Sequence, residues 1–254
     1  MHNVIYANEP LSGSAERPRT VAVTGAAGRI GTSFTEYAAE RYRLRLLVQD
    51  EDERGRVEAC GRVTIGDLCE PGVAADFCEG ADTVLHLAAD PSPRADWDSV
   101  CRNNITAAYR VFAAAVHARC RRIVFASSIH AVSGYPQGYQ VHEDDPVNPG
   151  DLYGVSKCFG EALARLTAVQ EGVSAIVVRI GAFQPLKNAE KAENIALMNS
   201  FVSHRDLDQL FCRCIDDERL QFAIFHGLSD NRFNRMHIGN AQALVEYDPA
   251  DDFT

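Results

Sequence analysis

From residue 20 onward, short apolar runs alternate with helical stretches, and three glycines stand directly behind the first run. These observations predict an α/β fold: a Rossmann-type, doubly wound parallel sheet with a small C-terminal substrate cap. The length of 254 residues suits one such domain with a modest appendage, and 46% hydrophobic against 24% charged residues is the balance of an ordinary globular chain.

In chain order, residues 1–19 contain no apolar stretch of signal-peptide length and read as a polar, loose extension. The run TVAVT at 20–24 is the first strand and stops at Gly25. A helix follows over 29–41, then a strand over 44–48 that an acidic turn, Asp50 to Glu53, ends. Strands are expected at 63–65, 83–87, 122–126 and 174–179, and long helices over 98–118 and 152–170. Near-continuous apolar strands are what a sheet covered on both faces requires. Beyond Arg179 the pattern weakens into a polar loop at 184–194, a helix over 201–215 and a late strand at 221–226. The expected organisation is therefore a 1–19 extension, a 20–180 cofactor-binding core and a 181–254 substrate portion.

The formal net charge of −10 argues against nucleic acid and against an anionic membrane surface as partners. No run approaches the ~18 apolar residues of a membrane span. The eight cysteines form no Cys-x-x-Cys pair, so no metal site is expected and the reading is a reduced, cytoplasmic protein. Cys212 and Cys214 read as buried helix thiols, Trp97 as packing, and Arg121-Arg122 as a solvated turn.

The segment Gly25, Ala26, Ala27, Gly28, Arg29, Ile30, Gly31 joins the first strand to the first helix. Such glycines permit a tight turn, close approach of backbone to a pyrophosphate, and close packing of helix on sheet. The helix start adds free N–H groups. Asp50, after the second strand, stands where a carboxylate accepts hydrogen bonds from an adenosine ribose and repels a 2′-phosphate, which selects NAD; a register shift of one residue would put Gln49 there. Asp67 and Leu68 follow the third strand, at the adenine end. Leu87, Ala88 and Ala89 end the fourth strand with residues small enough for a cofactor to lie against them.

Tyr153 and Lys157, four apart on a helix, share one face, and Ser127 and Ser128 end the fifth strand, where ligands bind in open parallel sheets. This combination suits hydride transfer at a carbinol. An ammonium and the positive nicotinamide would favour the Tyr153 phenolate, which then takes the hydroxyl proton while Ser128 holds the oxygen. Lys157 would also bind the nicotinamide ribose. His130 is a further candidate for substrate contact.

With TGAAGRIG, Asp67, LAA, Asn104, Ser128 and YGVSK in this order, the chain resembles the extended short-chain dehydrogenase/reductase superfamily, the NAD-dependent epimerase/dehydratase family, over about residues 20–250. The resemblance implies an Asn-Ser-Tyr-Lys tetrad at Asn104, Ser128, Tyr153 and Lys157, a proton relay organised by Asn104, and Ile180 among the cofactor contacts. RIVFASSIHAV, LYGVSKCFGEALAR, VRIGAF and SFVSHRDL are similar to stretches of the family's uronate dehydrogenases, which implies oxidation of a sugar or sugar-acid carbinol with NAD⁺. Those enzymes have polar residues where this chain has Ile129, Ala182 and Ala196, the last in place of an arginine that clamps the substrate carboxylate. A hexuronate is therefore expected to be a poor substrate unless Lys187, Lys191 or Arg205 replaces the clamp. Alternatives are a nucleotide-sugar epimerase or dehydratase, and a non-catalytic NAD-binding regulator. The resemblance also implies a homodimer through the two long helices, whose apolar residues, Val100, Tyr109, Phe112, Phe159 and Leu163, occupy more than one face.

Overall fold

The computed structural model describes residues 3–11, 18–189 and 198–253. Strands β1 (Val4–Tyr6), β2 (Thr20–Thr24), β3 (Arg43–Val48), β4 (Arg62–Ile65), β5 (Thr83–His86), β6 (Arg122–Ser128) and β7 (Ser174–Ile180) precede two short ones, β8 (Ala182–Phe183) and β9 (Phe201–Val202), and the long β10 (Leu220–Gly227). Eight of them form one sheet in the order β1-β10-β7-β6-β5-β2-β3-β4, with β8 and β9 paired separately. All pairings within the large sheet are parallel except that of β1 with β10. The chain leaves β2 toward β3 and β4 on one side and returns to β5 on the other, so the strand order reverses between β2 and β5. In an open α/β sheet that reversal opens a crevice at the carboxyl ends of the strands.

The strands are buried on both sides because alternate residues serve different cores. Val124, Ala126, Ile176 and Val178 face one core with Phe34, Leu207, Leu210 and Phe211. Ile123, Phe125, Ala175 and Val177 face the other with Phe77, Val111, Phe112 and Ala164. Helices α1 (Arg29–Ala38), α2 (Glu51–Val57), α8 (His204–Asp216) and α9 (Gly239–Val245) cover the first face. Helices α3 (Val73–Cys78), α5 (Ala107–His117) and α6 (Leu152–Leu166) cover the second, and two single turns, α4 (Trp97–Val100) and α7 (Leu186–Ala189), complete the set of α-helices among the described residues. Phe34 of α1 meets Phe211 of α8 edge to face at 5.8 Å, joining the first helix to the C-terminal one. Cys212 and Cys214 of α8 are buried free thiols.

Several sequence expectations are corrected. Within 1–19, residues 4–6 form an edge strand on β10, and Ala7 and Leu11 donate to Arg219 and Glu218 carbonyls. The expected boundary at 180/181 is not a core boundary, because β10 extends the main sheet next to β7 and α8 packs on α1. The acidic turn at Asp50 to Glu53 is the start of α2, where three acids in the first turn complement the helix dipole. The expected 201–215 helix begins only at His204, because Phe201 and Val202 pair with β8.

Arg121 and Arg122 are not a solvated turn. With Arg19 they form a buried guanidinium cluster at the amino ends of the strands, with Asp82 accepting from Arg19 at 3.1 Å and from Arg121 at 3.1 Å. Arg122 is fully buried and donates to the carbonyls of Cys214 and Leu220. Trp97, expected to pack, is 59% exposed.

Candidate functional site

Two adjoining cavities at the carboxyl ends of the strands share Gly25, Ala89 and Pro91. The first, about 300 Å³, runs from Gly25 past Val48, Gln49, Gly66, Asp67, Leu68, Ala88 and Asn103. The second, about 490 Å³, is walled by Gly28, Arg29, Ile30, Gly31, Leu87, residues 126–130, Tyr153, Lys157 and residues 180–184. One long crevice therefore crosses the point where strand order reverses.

Its floor depends on glycine. Gly25 has φ of +66°, and a Cβ there would lie 2.8 Å from the Ala88 nitrogen. A Cβ on Gly31 would lie 2.3 Å from the Gly25 carbonyl oxygen, so α1 approaches the loop as only glycine allows. Gly28 occupies the N-cap of α1 with extended backbone and no side-chain cap, which leaves the first N–H groups of the helix directed at the cavity mouth. A narrow cradle of uncapped N–H groups at the centre of a two-lobed crevice fits the pyrophosphate of a dinucleotide. Ala27 points away from it, into the core.

At the first lobe, Asp50 does not face the cavity. Its carboxylate caps α2 by accepting from the Glu53 N–H at 2.8 Å, while Glu53 accepts from the Gln49 N–H at 2.8 Å. Gln49 lines the wall instead. Asp67 does line it, accepting from the Cys69 N–H at 2.7 Å and pairing with Arg102, and these bonds hold its carboxyl below the usual range. Gln49 is the alternative that the one-residue register shift offered, whereas Gly66, Asp90 and Pro91 are wall residues for which the sequence gives no signal.

The second lobe gathers Ser128, Tyr153 and Lys157. The α6 N-cap is Asp151, whose Oδ1 accepts from the Gly154 N–H at 2.7 Å, so Tyr153 and Lys157 sit in the first two turns of a well-capped helix. The helix lies flat on the sheet because Gly160 leaves room for the Phe125 ring. The Lys157 ammonium donates to the Ala126 carbonyl at 2.9 Å and lies 5.4 Å from the centre of the Tyr153 ring. Burial lowers the lysine to about 8. Around Tyr153, burial pushes the hydroxyl up to about 12, with Asp151 and Asp90 adding to the rise and a hydrogen bond with Ser128 opposing it.

His130 lies beside this group. Its ring meets the Tyr153 ring edge-on at 5.4 Å, and its Nδ1 is 2.6 Å from Asp151 Oδ2. Asp151 thus ties the α6 start to the His130 ring. Ile129 and Ala182 also line the lobe. Ser127 does so only in part, since its hydroxyl donates to buried Glu161 at 2.6 Å, which also accepts two bonds from Arg179.

Asn104 is buried behind the lobe, in a π-helical turn (Cys101–Thr106) between α4 and α5. The wider turn lets its amide donate to the Ser156 hydroxyl at 3.0 Å and to the Asp90 carbonyl at 3.1 Å, while its oxygen accepts from the Asp90 N–H at 2.8 Å. It therefore ties α6 to the loop after β5. Arg205, one suggested stand-in for the carboxylate clamp, pairs with Asp251 at 2.6 Å and lies outside the cavity walls. Lys187 is exposed. Lys191 and Ala196 fall outside the described residues.

The model of the "NAD dependent epimerase/dehydratase family" matches residues 21–192. The chain is 34% identical over 251 residues, 91% of its length and 93% of the relative's, to an NAD-dependent glucose-6-phosphate dehydrogenase of Haloferax volcanii. A glucuronic acid dehydrogenase from Chromohalobacter salexigens is similar in structure with a TM-score of 0.84 and 28% identity, over 92% of this chain and 85% of that one. A mutant uronate dehydrogenase from Agrobacterium tumefaciens, solved in complex with NAD, gives 0.82 and 28% over the same shares.

Proposed function

This chain belongs to the NAD dependent epimerase/dehydratase family, and from that premise we propose that it is an NAD-dependent dehydrogenase that oxidises a carbinol of a free sugar or sugar derivative. The observation that carries the reading is the meeting of Ser128, Tyr153 and Lys157 in a cavity of about 490 Å³ that opens onto the Gly25–Gly31 cradle.

Gly25, Gly28 and Gly31 would hold the pyrophosphate against the start of α1, and Arg29, Ile30, Leu87, Ala88, Ala89 and Ile180 line the cavities that would take the rest of the cofactor. Asp67, Leu68 and Gln49 take the adenosine end. Bound NAD⁺ supplies the hydride acceptor and a positive charge. Ser128 holds the substrate oxygen and Tyr153 removes its proton. With its hydroxyl raised to about 12 by burial, Tyr153 needs positive charge close by to act near neutral pH. Lys157 supplies part of it when protonated and also binds the nicotinamide ribose. Asn104 positions α6 and the loop after β5. His130, oriented by Asp151, presents its second ring nitrogen to a substrate hydroxyl.

The acids at 50–53 leave a 2′-phosphate in an unfavourable field even though Asp50 caps α2, so NAD binds about tenfold tighter than NADP, or 1.4 kcal/mol, in a binding titration. The cavity size suits a monosaccharide, and the apolar Ile129 and Ala182 in its wall favour a neutral sugar over a hexuronate. Eight free thiols fit a reducing, cytoplasmic setting.

A panel of aldoses, aldose phosphates, hexuronates and UDP-hexoses with NAD⁺, read by NADH absorbance, tests the proposal. NADH formation with a free aldose or its phosphate supports it. Interconversion of UDP-hexoses without net NADH would replace it with an epimerase, and NAD binding with no turnover of any of them would replace it with a regulator.

A further inference from the structure

Outside the crevice, a backbone crosslink brings together two segments that are far apart in sequence. Val141 and Met236 form an isolated parallel bridge. The Val141 N–H donates to Arg235 and the His237 N–H to Val141, each at 2.8 Å. The bridge sets His142 and Glu143 beside His237. The two imidazoles lie 4.8 Å apart between centres, tilted by 33°. One ring nitrogen from each and a Glu143 oxygen all fall within 4.8 Å of one another. None of the three residues lines the crevice.

Two of these donor atoms lack what a protein interior normally provides. Glu143 Oε2 and His237 Nδ1 are each closed off from solvent, and neither has a hydrogen-bond partner. They face each other at 3.6 Å, too long for a hydrogen bond. Leaving a buried polar atom unsatisfied is costly, and a cation between the two would satisfy both. The backbone around them is held on each side. Asn3 donates to the Glu143 carbonyl at 2.6 Å, and His226 Nδ1 lies 2.7 Å from the His237 carbonyl.

We propose that His142, Glu143 and His237 form a binding site for a divalent transition-metal ion of the Zn²⁺ class. Two imidazoles and one carboxylate are a donor set that suits such an ion, with a fourth position open to water on the exposed His142 side. Bonds of about 2.1 Å at tetrahedral angles place donor atoms roughly 3.4 Å apart. The donor atoms now lie within 4.8 Å of one another, so closing on an ion asks for side-chain movement of about an ångström, and His142 is exposed and His237 half-buried. The ion would fasten the 141–143 segment to the segment before α9 and, through Asn3, to the N-terminal strand. Beneath the bridge, Val132, Val141, Leu228, Met236 and Ile238 form a small core against which Ile129 of the cavity wall packs. Metal binding therefore stiffens one wall of the crevice without supplying a ligand to it.

The full chain, stripped with a chelator, is titrated with Zn²⁺ by calorimetry and thermal unfolding, alongside His237→Ala and Glu143→Gln. The expected result is one site per chain and a thermal midpoint raised by roughly 5–10 °C at a hundredfold excess over Kd. Both variants should lose the rise, and the midpoint of each without metal should stay close to that of the metal-free parent. Co²⁺ in place of Zn²⁺ should give a nitrogen/oxygen-type spectrum. The proposal is overturned if the parent does not bind Zn²⁺ at micromolar concentration, if either variant binds as the parent does, or if the Co²⁺ complex displays thiolate charge transfer, which would assign the ion to cysteines.

Discussion

At Tyr153, burial and proton chemistry oppose each other. A hydroxyl at about 12 is a poor base at neutral pH, and a buried ammonium at about 8 is only partly available to help above that pH. Tyr153→Phe keeps the ring against His130 and removes the ionisable oxygen. Steady-state turnover should fall by about 10²–10⁴-fold, with the NAD dissociation constant unchanged within a factor of about two. Turnover near the parent's would remove Tyr153 from the proposed role. His130 gives a second test through its partner. Asp151→Ser retains a helix cap but loses the carboxylate on the ring, so KM should rise severalfold while the thermal midpoint stays nearly constant. A large loss of stability with KM unchanged would make Asp151 a cap alone.

Between elements, the α1–α8 contact carries a titratable group that the chemistry does not use. Asp208 is buried, accepts from the Ser33 hydroxyl at 2.6 Å through Oδ2, and leaves Oδ1 without a partner. Burial raises it to about 7, with nearby Glu36 adding to the rise. Because the folded value lies above the unfolded one, the folded chain binds the extra proton. The contribution is complete below about pH 4 and is lost as pH rises through 7. Asp208→Asn should flatten the stability profile between these limits and stabilise the chain at pH 8 by on the order of 3 kcal/mol, read by urea unfolding at several pH values. A parallel pH dependence in the variant would contradict the assignment. The contact of α6 with the sheet is tight in a different sense. A Cβ at Gly160 would lie 2.1 Å from the Phe125 ring, so Gly160→Ala should destabilise by about 1–3 kcal/mol through overpacking and shift Lys157 relative to Ala126. Calorimetry that finds the variant as stable as the parent would mean that the Phe125 ring gives way.

For the molecule as a whole, the apolar faces of α5 and α6 raise the question of a second copy. Val100 and Phe112, two of the residues from which a homodimer is expected, are buried in this chain's own core. The outward set is Tyr109, Val155, Phe159, Leu166 and Val169, each exposed and carried by α5, α6 or the π-helical turn (Thr167–Glu171) that follows α6. We propose a homodimer through this face, the apolar stripe of one copy covering that of the other. Phe159→Glu together with Leu166→Glu should halve the mass seen by light scattering at micromolar concentration. A monomer mass for the parent would end the proposal. No helix among the described residues is long and apolar enough to cross a membrane.

Local chemistry made much of this protein readable from its sequence. The apolar runs of β2, β6 and β7 announce a sheet buried on both faces, the glycines at 25, 28 and 31 a turn that only glycine permits, and the Tyr153–Lys157 spacing a shared helix face, because each depends on neighbours a few residues away. What the tertiary structure alone decided depends on distant partners. Asp50 and Gln49 exchange roles because a helix begins at Glu51 and takes the carboxylate as its cap. Arg121 and Arg122 are buried because Asp82 and the carbonyls at the end of α8 receive them. Asn104 reaches Ser156 only through a π-helical turn, and β1 forms only once β10 offers an edge. His142, Glu143 and His237 meet because one backbone bridge closes a loop of more than ninety residues. Sequence patterning encodes which surfaces seek burial and which turns the backbone can make; the pairing of charges and donor atoms is set by where those surfaces come to rest.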